Sequence, residues 1–232
     1  MNNMENKKRF ILLSEKKWNI DMYNFLKDNT NYNWIIVNKR SKFTLEYLEK
    51  VKPEFVFIPH WSYIIEKEIF EKYPCIVFHM TDLPFGRGGS PLQNLIVRGF
   101  KKTKISAIRV TNTIDSGDIY LKRNLMLNGS AREIFERTNK IISEMIIKII
   151  ENNIIPRPQK GNPIYFKRRK PEQSNIKDLE NVEKIYDYIR MLDAEGYPKA
   201  YLETKYFKFE FSSASLKSDK TINADVKISK KQ

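Results

Sequence analysis

The chain has 232 residues and a formal net charge of +14, with 41% hydrophobic and 12% aromatic residues. That apolar content supports a packed core and excludes a disordered chain, while no apolar stretch approaches the ~20 residues of a membrane span. One cysteine excludes an intrachain disulfide, and two histidines without paired spacing leave no zinc motif, so no metal site is expected.

Residues 1–9 are polar and rich in Asn and Lys, with no apolar signal core behind them, so a cytoplasmic chain is expected. Arg9–Ser14 is a short apolar run of strand type. Trp18, Met22, Phe25 and Leu26 mark the inner face of a helix over 18–26. Asn33–Val37 reads as a second strand, and a helix carrying Leu45, Leu48 and Val51 is closed by Pro53. Residues 54–60 form a third strand, 63–73 a helix, and Cys75–His79 a central strand. This alternation predicts an α/β fold with a doubly wound, mostly parallel sheet. The architecture is Rossmann-like, but no Gly-x-Gly-x-x-Gly fingerprint follows the first strand.

After a Gly- and Pro-rich loop, a helix is expected over 91–100 with Leu92, Leu95 and Ile96 inward. Strands over 105–110 and 119–127 complete the sheet, with an antiparallel edge allowed. Ser130-x-x-Glu133 is a capping box for a long helix whose stripe includes Ile134, Phe135, Ile141, Ile142, Met145, Ile149 and Ile150. Pro156 and Pro158 mark a linker, dividing a first domain, 1–155, from a small α+β extension, 156–232. The extension holds an extended Ile164–Phe166, a helix over 182–191, and a hairpin of Ala200–Glu203 with 206–211. The Lys-rich residues after it read as either an edge strand or a tail.

Two stretches carry candidate chemistry. Cys75–His79 delivers one of the two histidines to the lip of the loop Met80–Ser90, as α/β sheets present chemistry at a strand's carboxyl end. Downstream, Asp115–Ser116–Gly117–Asp118 follows a strand, and a carboxylate there that reaches His79 would fix its tautomer. A buried structural histidine and an ordinary Asp-Ser-Gly turn fit each stretch singly. His60 also ends a strand and reads as structural or pocket-lining.

The pattern His79, Leu83, Pro84, Arg87, Gly88, Pro91, Gln93, followed by Asp115 to Asp118, resembles the folate-dependent formyltransferases. The likeness runs from about Val56 to about Leu121. Residues 165–174 and 193–200 look like segments of the nucleotide-sugar N-formyltransferase branch. One departure is Val77, which stands where the family places an Asn. Thr81 and Asn94 are the candidate replacements for its hydrogen bond.

The resemblance implies transfer of the formyl group of N10-formyltetrahydrofolate to the amine of a nucleotide-linked amino sugar, in surface polysaccharide biosynthesis. His79 is the implied acid/base and Asp115 its orienting group. Ile64, Ile65, Ile114 and Asp115 would meet the folate, and Thr81, Arg87, Gly88 and Gln93 the substrate. The Gly86–Ser90 loop would let substrate approach the backbone. The alternatives are a methionyl-tRNA formyltransferase-like enzyme and a catalytically impaired binding protein of the same fold. The positive charge is scattered, denser only over Lys167–Lys170 and Lys217–Lys231, and reads as solvated lysines or as a field for polyanionic ligands. The resemblance implies a nucleotide-linked amino sugar and a reduced folate as partners, and no membrane; the absence of a base-stacking or recognition-helix pattern argues against nucleic acid. A homodimer is left open.

Overall fold

The computed structural model describes residues 7–231, so most of the polar opening segment lies outside it. The chain clusters into two compact units. The first comprises the residues up to Arg87, Lys104–Leu125 and Glu136–Tyr165. The second comprises Gly88–Thr103, Met126–Phe135 and the residues from Phe166 onward. The division is therefore not a single cut at the proline linker, because the second unit also draws on residues on either side of the sheet strands.

In the first unit, β1 (Arg9–Ser14) is buried along nearly its whole length, as its unbroken apolar run requires. It pairs in parallel with β2 (Asn33–Val37) and β3 (Phe55–His60), and β3 pairs in parallel with β4 (Cys75–His79). Strands β6 (Lys102–Arg109) and β7 (Ile119–Met126) extend the sheet to the order β2-β1-β3-β4-β6-β7, with β4 and β6 antiparallel. The mostly parallel α/β sheet read from the strand-helix alternation is thus present. Crossings are made by α1 (Asn19–Asn29), α2 (Leu45–Val51) and α3 (Lys67–Lys72). One face of the sheet packs Ile11, Leu13, Val56 and Ile58 against Leu48 and Ile69.

Two local expectations are corrected. Phe25 is 43% exposed, and the inner position at the start of α1 goes to Asn19, whose amide donates to Ser14 Oγ at 2.6 Å. The helix expected over 63–73 shortens to α3. Residues 61–66 leave β3 as a loop, with Ile65 in the core cluster and Ile64 90% exposed.

The long helix α5 (Ala131–Glu151) opens as its capping box dictates, Glu133 Oε2 accepting from Ser130 N at 2.7 Å and Ser130 Oγ from Glu133 N at 3.3 Å. Two short strands, β5 (Phe85–Gly88) and β8 (Ile164–Phe166), pair with each other. The second unit contains α4 (Pro91–Val97) and α6 (Val182–Arg190). Its three-stranded sheet has the order β11-β10-β9, from β9 (Ala200–Glu203), β10 (Phe207–Leu216) and β11 (Ile222–Lys230). Phe209 faces Leu202 on one side and Ile228 on the other. The Lys-rich end is therefore an edge strand and not a tail. Among the described residues no helix is long and apolar enough to cross a membrane.

Candidate active site

Strand alternation puts Cys75, Val77 and His79 on one face of β4. His79 is 7% exposed, and its Nε2 lies 2.7 Å from the carbonyl oxygen of Gly86. A carbonyl only accepts, so Nε2 carries the proton, and Nδ1 is the nitrogen left to exchange one. Nδ1 lies 3.5 Å from Asp115 Oδ2. The expected division of labour is thus altered. The Gly86 carbonyl fixes the tautomer, and Asp115 sits beside the ring nitrogen that carries no hydrogen in it.

Asp115 reaches His79 by an indirect path. Because β6 runs against β4, its end at Arg109 is level with Ile76, while His79 is level with Ser106. The turn over 111–117 carries the carboxylate back along the sheet. Thr111 Oγ1 and Ser116 Oγ both donate to the Thr113 carbonyl, at 3.2 and 2.8 Å, and Asp115 takes a positive φ of 49°. Gly117 closes on Arg109 so tightly that a Cβ there would lie 1.7 Å from the Arg109 carbonyl oxygen.

The loop after His79 is anchored by Asp82, which meets Lys122 Nζ at 2.5 Å and Lys104 Nζ at 2.9 Å. Burial pulls this carboxyl upward, but the hydrogen bonds and charges of the two lysines outweigh it and hold it below its ordinary value. Thr81 is fully buried, its hydroxyl donating to the Gly86 carbonyl at 3.4 Å. The Arg87 guanidinium donates to Gln159 Oε1 at 2.8 and 3.2 Å and to the Tyr165 hydroxyl at 3.3 Å. Gln159, in the proline linker, carried no motif to mark it in the sequence. Pro156 and Pro158 before it signal only a fixed backbone.

In the second unit, Gln93 is buried and donates to the Met191 carbonyl at 3.1 Å. Asn94 donates to the carbonyls of Gly89 and Lys167, both at 2.9 Å. The space beside Gly88 and Gly89 is filled by the chain itself. Added Cβ atoms would lie 2.5 Å from the Phe166 carbonyl oxygen and 2.6 Å from Arg168 Cβ. The glycines there admit this chain's own backbone, where the sequence suggested a substrate. Thr81, Gly88 and Gln93 hold loop and helix in place, and neither Thr81 nor Asn94 presents a donor that replaces the family Asn at Val77.

Of the residues expected at a folate, Ile64 and Ile114 are exposed and Ile65 is buried. Ile64 lines a cavity of about 440 Å³ with Arg40, Phe43, Trp61 and Tyr63, the Arg40 guanidinium lying 4.7 Å from the Tyr63 ring centre. His60, against the Trp18 ring, is pushed down to about 4 by burial and then by the Lys16 ammonium, so it is neutral at pH 7. Burial pushes the Cys75 thiol up to about 12, which excludes a thiolate nucleophile.

Residues 14–150 match the formyl transferase family model, and residues 171–229 match that of the methionyl-tRNA formyltransferase C-terminal domain. The methionyl-tRNA formyltransferase of Rickettsia felis is 29% identical over 200 residues, 78% of this chain, which spans 65% of that relative's length. Among solved structures, a methionyl-tRNA formyltransferase from Clostridium thermocellum superposes with a TM-score of 0.93 at 51% identity, covering 97% of this chain and all of that one. HypX from Aquifex aeolicus, in complex with tetrahydrofolic acid, superposes at 0.76 over 91% of this chain and 38% of its own; at 16% identity it shows the fold alone.

These matches overturn the nucleotide-sugar reading, and with it the amino-sugar acceptor and the role in polysaccharide synthesis. Of the segments that looked sugar-specific, residues 193–200 lie wholly, and 171–174 at the end of 165–174, within the region matching the methionyl-tRNA formyltransferase C-terminal domain. The expectation of no nucleic acid partner falls for the same reason. With a single family model matched over 14–150, more than half of its 232 residues, the chain belongs to the formyl transferase family.

Proposed function

We propose that this chain moves the formyl group of N10-formyltetrahydrofolate onto the α-amine of a methionine esterified to tRNA. The observation that carries the chemistry is the His79 ring, clamped through Nε2 and offering Nδ1 beside Asp115. The neutral amine attacks the formyl carbon, forming a C–N bond and a tetrahedral oxyanion. Nδ1 of His79 takes the proton from the attacking nitrogen, and Asp115 stabilises the imidazolium so formed. The oxyanion collapses, the bond to the folate N10 breaks, and the same proton passes to that nitrogen. Ile64 and Ile114 would offer apolar contact to the folate ring, and the cavity at Arg40, Trp61 and Tyr63 has room for part of it.

The match of residues 171–229 supports methionyl-tRNA as acceptor, and the net charge of +14 suits a polyanion of that kind. The test is to incubate the purified protein with N10-formyltetrahydrofolate and methionyl-tRNA, then measure N-formylmethionine after deacylation. Free methionine and nucleotide-linked amino sugars serve as competing acceptors. Formylation of the tRNA-borne amine is the expected result. Formylation of a sugar amine without it overturns the acceptor assignment.

A further inference from the structure

The side-chain amide of Gln159 closes a ring of contacts around the candidate pair. Its Nε2 donates to the carbonyl oxygens of Asp115 at 2.8 Å and Gly117 at 2.9 Å. Its Oε1 accepts from Nη2 and Nε of Arg87 at 2.8 and 3.2 Å. A primary amide has two N–H groups and one oxygen with two lone pairs, and every one of these is used. The orientation is forced, since backbone carbonyls only accept and a guanidinium only donates. Arg87 directly follows Gly86, whose carbonyl holds His79 Nε2. The ring therefore runs His79, Gly86, Arg87, Gln159, Asp115 and back to His79 Nδ1.

Asp115 has need of such a brace. It is a non-glycine residue with φ of 49°, following the exposed Thr113 and Ile114. The hydroxyl contacts of Thr111 and Ser116 both converge on the carbonyl of Thr113, two residues before the carboxylate. Gln159 grips the carbonyls of Asp115 itself and of Gly117, which sets where the carboxylate stands over the ring.

We propose that Gln159 is a positioning residue for the formyl transfer inferred above: it acts through Asp115 and Arg87, and it fixes the separation of Asp115 from His79 Nδ1. The kinetic consequence rests on that functional reading; the geometric one does not. Two variants separate its halves. Gln159→Leu removes all four hydrogen bonds at similar size. Gln159→Glu keeps the acceptor toward Arg87 and removes both donors toward the Asp115 turn.

In both, kcat for formyl transfer falls about 10- to 100-fold, as small misplacements of a reacting group do, while KM for folate and acceptor stays within about twofold. The chain has only two histidines, so ¹⁵N spectra of labelled imidazoles read the geometry without turnover. The His79 signals move in both variants and those of His60 do not. Should the wild-type protein show no formyl transfer, the functional reading fails while the imidazole spectra still judge Gln159. Should Gln159→Leu not fold, Gln159→Glu decides. Unchanged His79 signals, unchanged kcat, or a raised KM at full kcat in a folded variant each overturn the proposal.

Discussion

Gly86 and His79 are joined by a 2.7 Å hydrogen bond from the ring Nε2 to a backbone oxygen, which leaves Nδ1 facing Asp115. A backbone acceptor cannot be protonated away or rotated out, so the ring keeps one tautomer. His79→Ala and Asp115→Ala should each lower formyl transfer by ~10²–10⁴-fold, the usual worth of positioned proton transfer. Thermal melts should stay close to wild type. A His79→Ala protein with undiminished turnover removes the assignment.

Val77 packs with the core cluster that contains Ile58, Ile65 and Cys75, in the position where the family has an Asn. Thr81 and Asn94 are committed to internal carbonyls, so no side chain among these makes good the missing donor. One such donor is worth ~10²–10³ in rate when aimed at a developing oxyanion. Val77→Asn should therefore raise kcat by at least about tenfold, measured in single turnover. An unchanged rate would mean that a backbone group already serves.

Gly117→Ala tests the turn without touching a titratable group. A methyl there would meet the Arg109 carbonyl oxygen at 1.7 Å, so the turn over 111–117 must shift. Activity should fall about as far as in Asp115→Ala, with the sheet intact by circular dichroism.

The amount of this that the residues announce is uneven. Strands β1, β2 and β4 can be bounded from composition alone, because short buried β runs flanked by polar turns have few other uses. Ser130 and Glu133 likewise declare a helix start through their own hydrogen bonds. The loop over 61–66 could not be told from a helix. Ile64 and Ile65 have helical company, and only the packing of Ile65 into the core shows that the chain is still crossing. The closeness of His79 and Asp115 is legible in the sequence, because two motifs agree in order. Gly86 was visible only as a turn residue, since a carbonyl has no side chain to mark it, and Gln159 acts 44 positions from the turn it holds. The acceptor was misread for a related reason. The Arg168–Arg169 and Gly196–Tyr197–Pro198 segments are only two and three residues long, too short to separate one branch of the family from another.

His60 predicts a pH effect on stability. Its folded-state value of about 4 lies below the ordinary 6.5, so the unfolded chain binds the extra proton first as pH falls. Stability from this group is complete above about pH 6.5 and is lost between 6.5 and 4, by on the order of 3 kcal/mol. Urea unfolding of wild type and His60→Phe at pH 7 and 4.5 should show a smaller loss in the variant.

Arg190, 4% exposed, donates to the carbonyls of Leu127 and Gly129 at 2.6 and 2.8 Å and pairs with Asp187 at 2.7 Å. Arg190→Met leaves a buried carbonyl, a part-buried one and a carboxylate without their donor. It should cost about 3 kcal/mol in chemical denaturation, with His79 chemistry unaffected in the folded fraction.

The antiparallel course of β6 makes the segment over 111–117 a tether of set reach. Removing one residue shortens an extended chain by roughly 3.3–3.6 Å, as much as the whole 3.5 Å gap between Asp115 and His79. The count between Arg109 and Asp118 therefore cannot drift, whatever side chains the exposed positions carry. Indels in natural variants of this chain should therefore be found anywhere on the surface sooner than here.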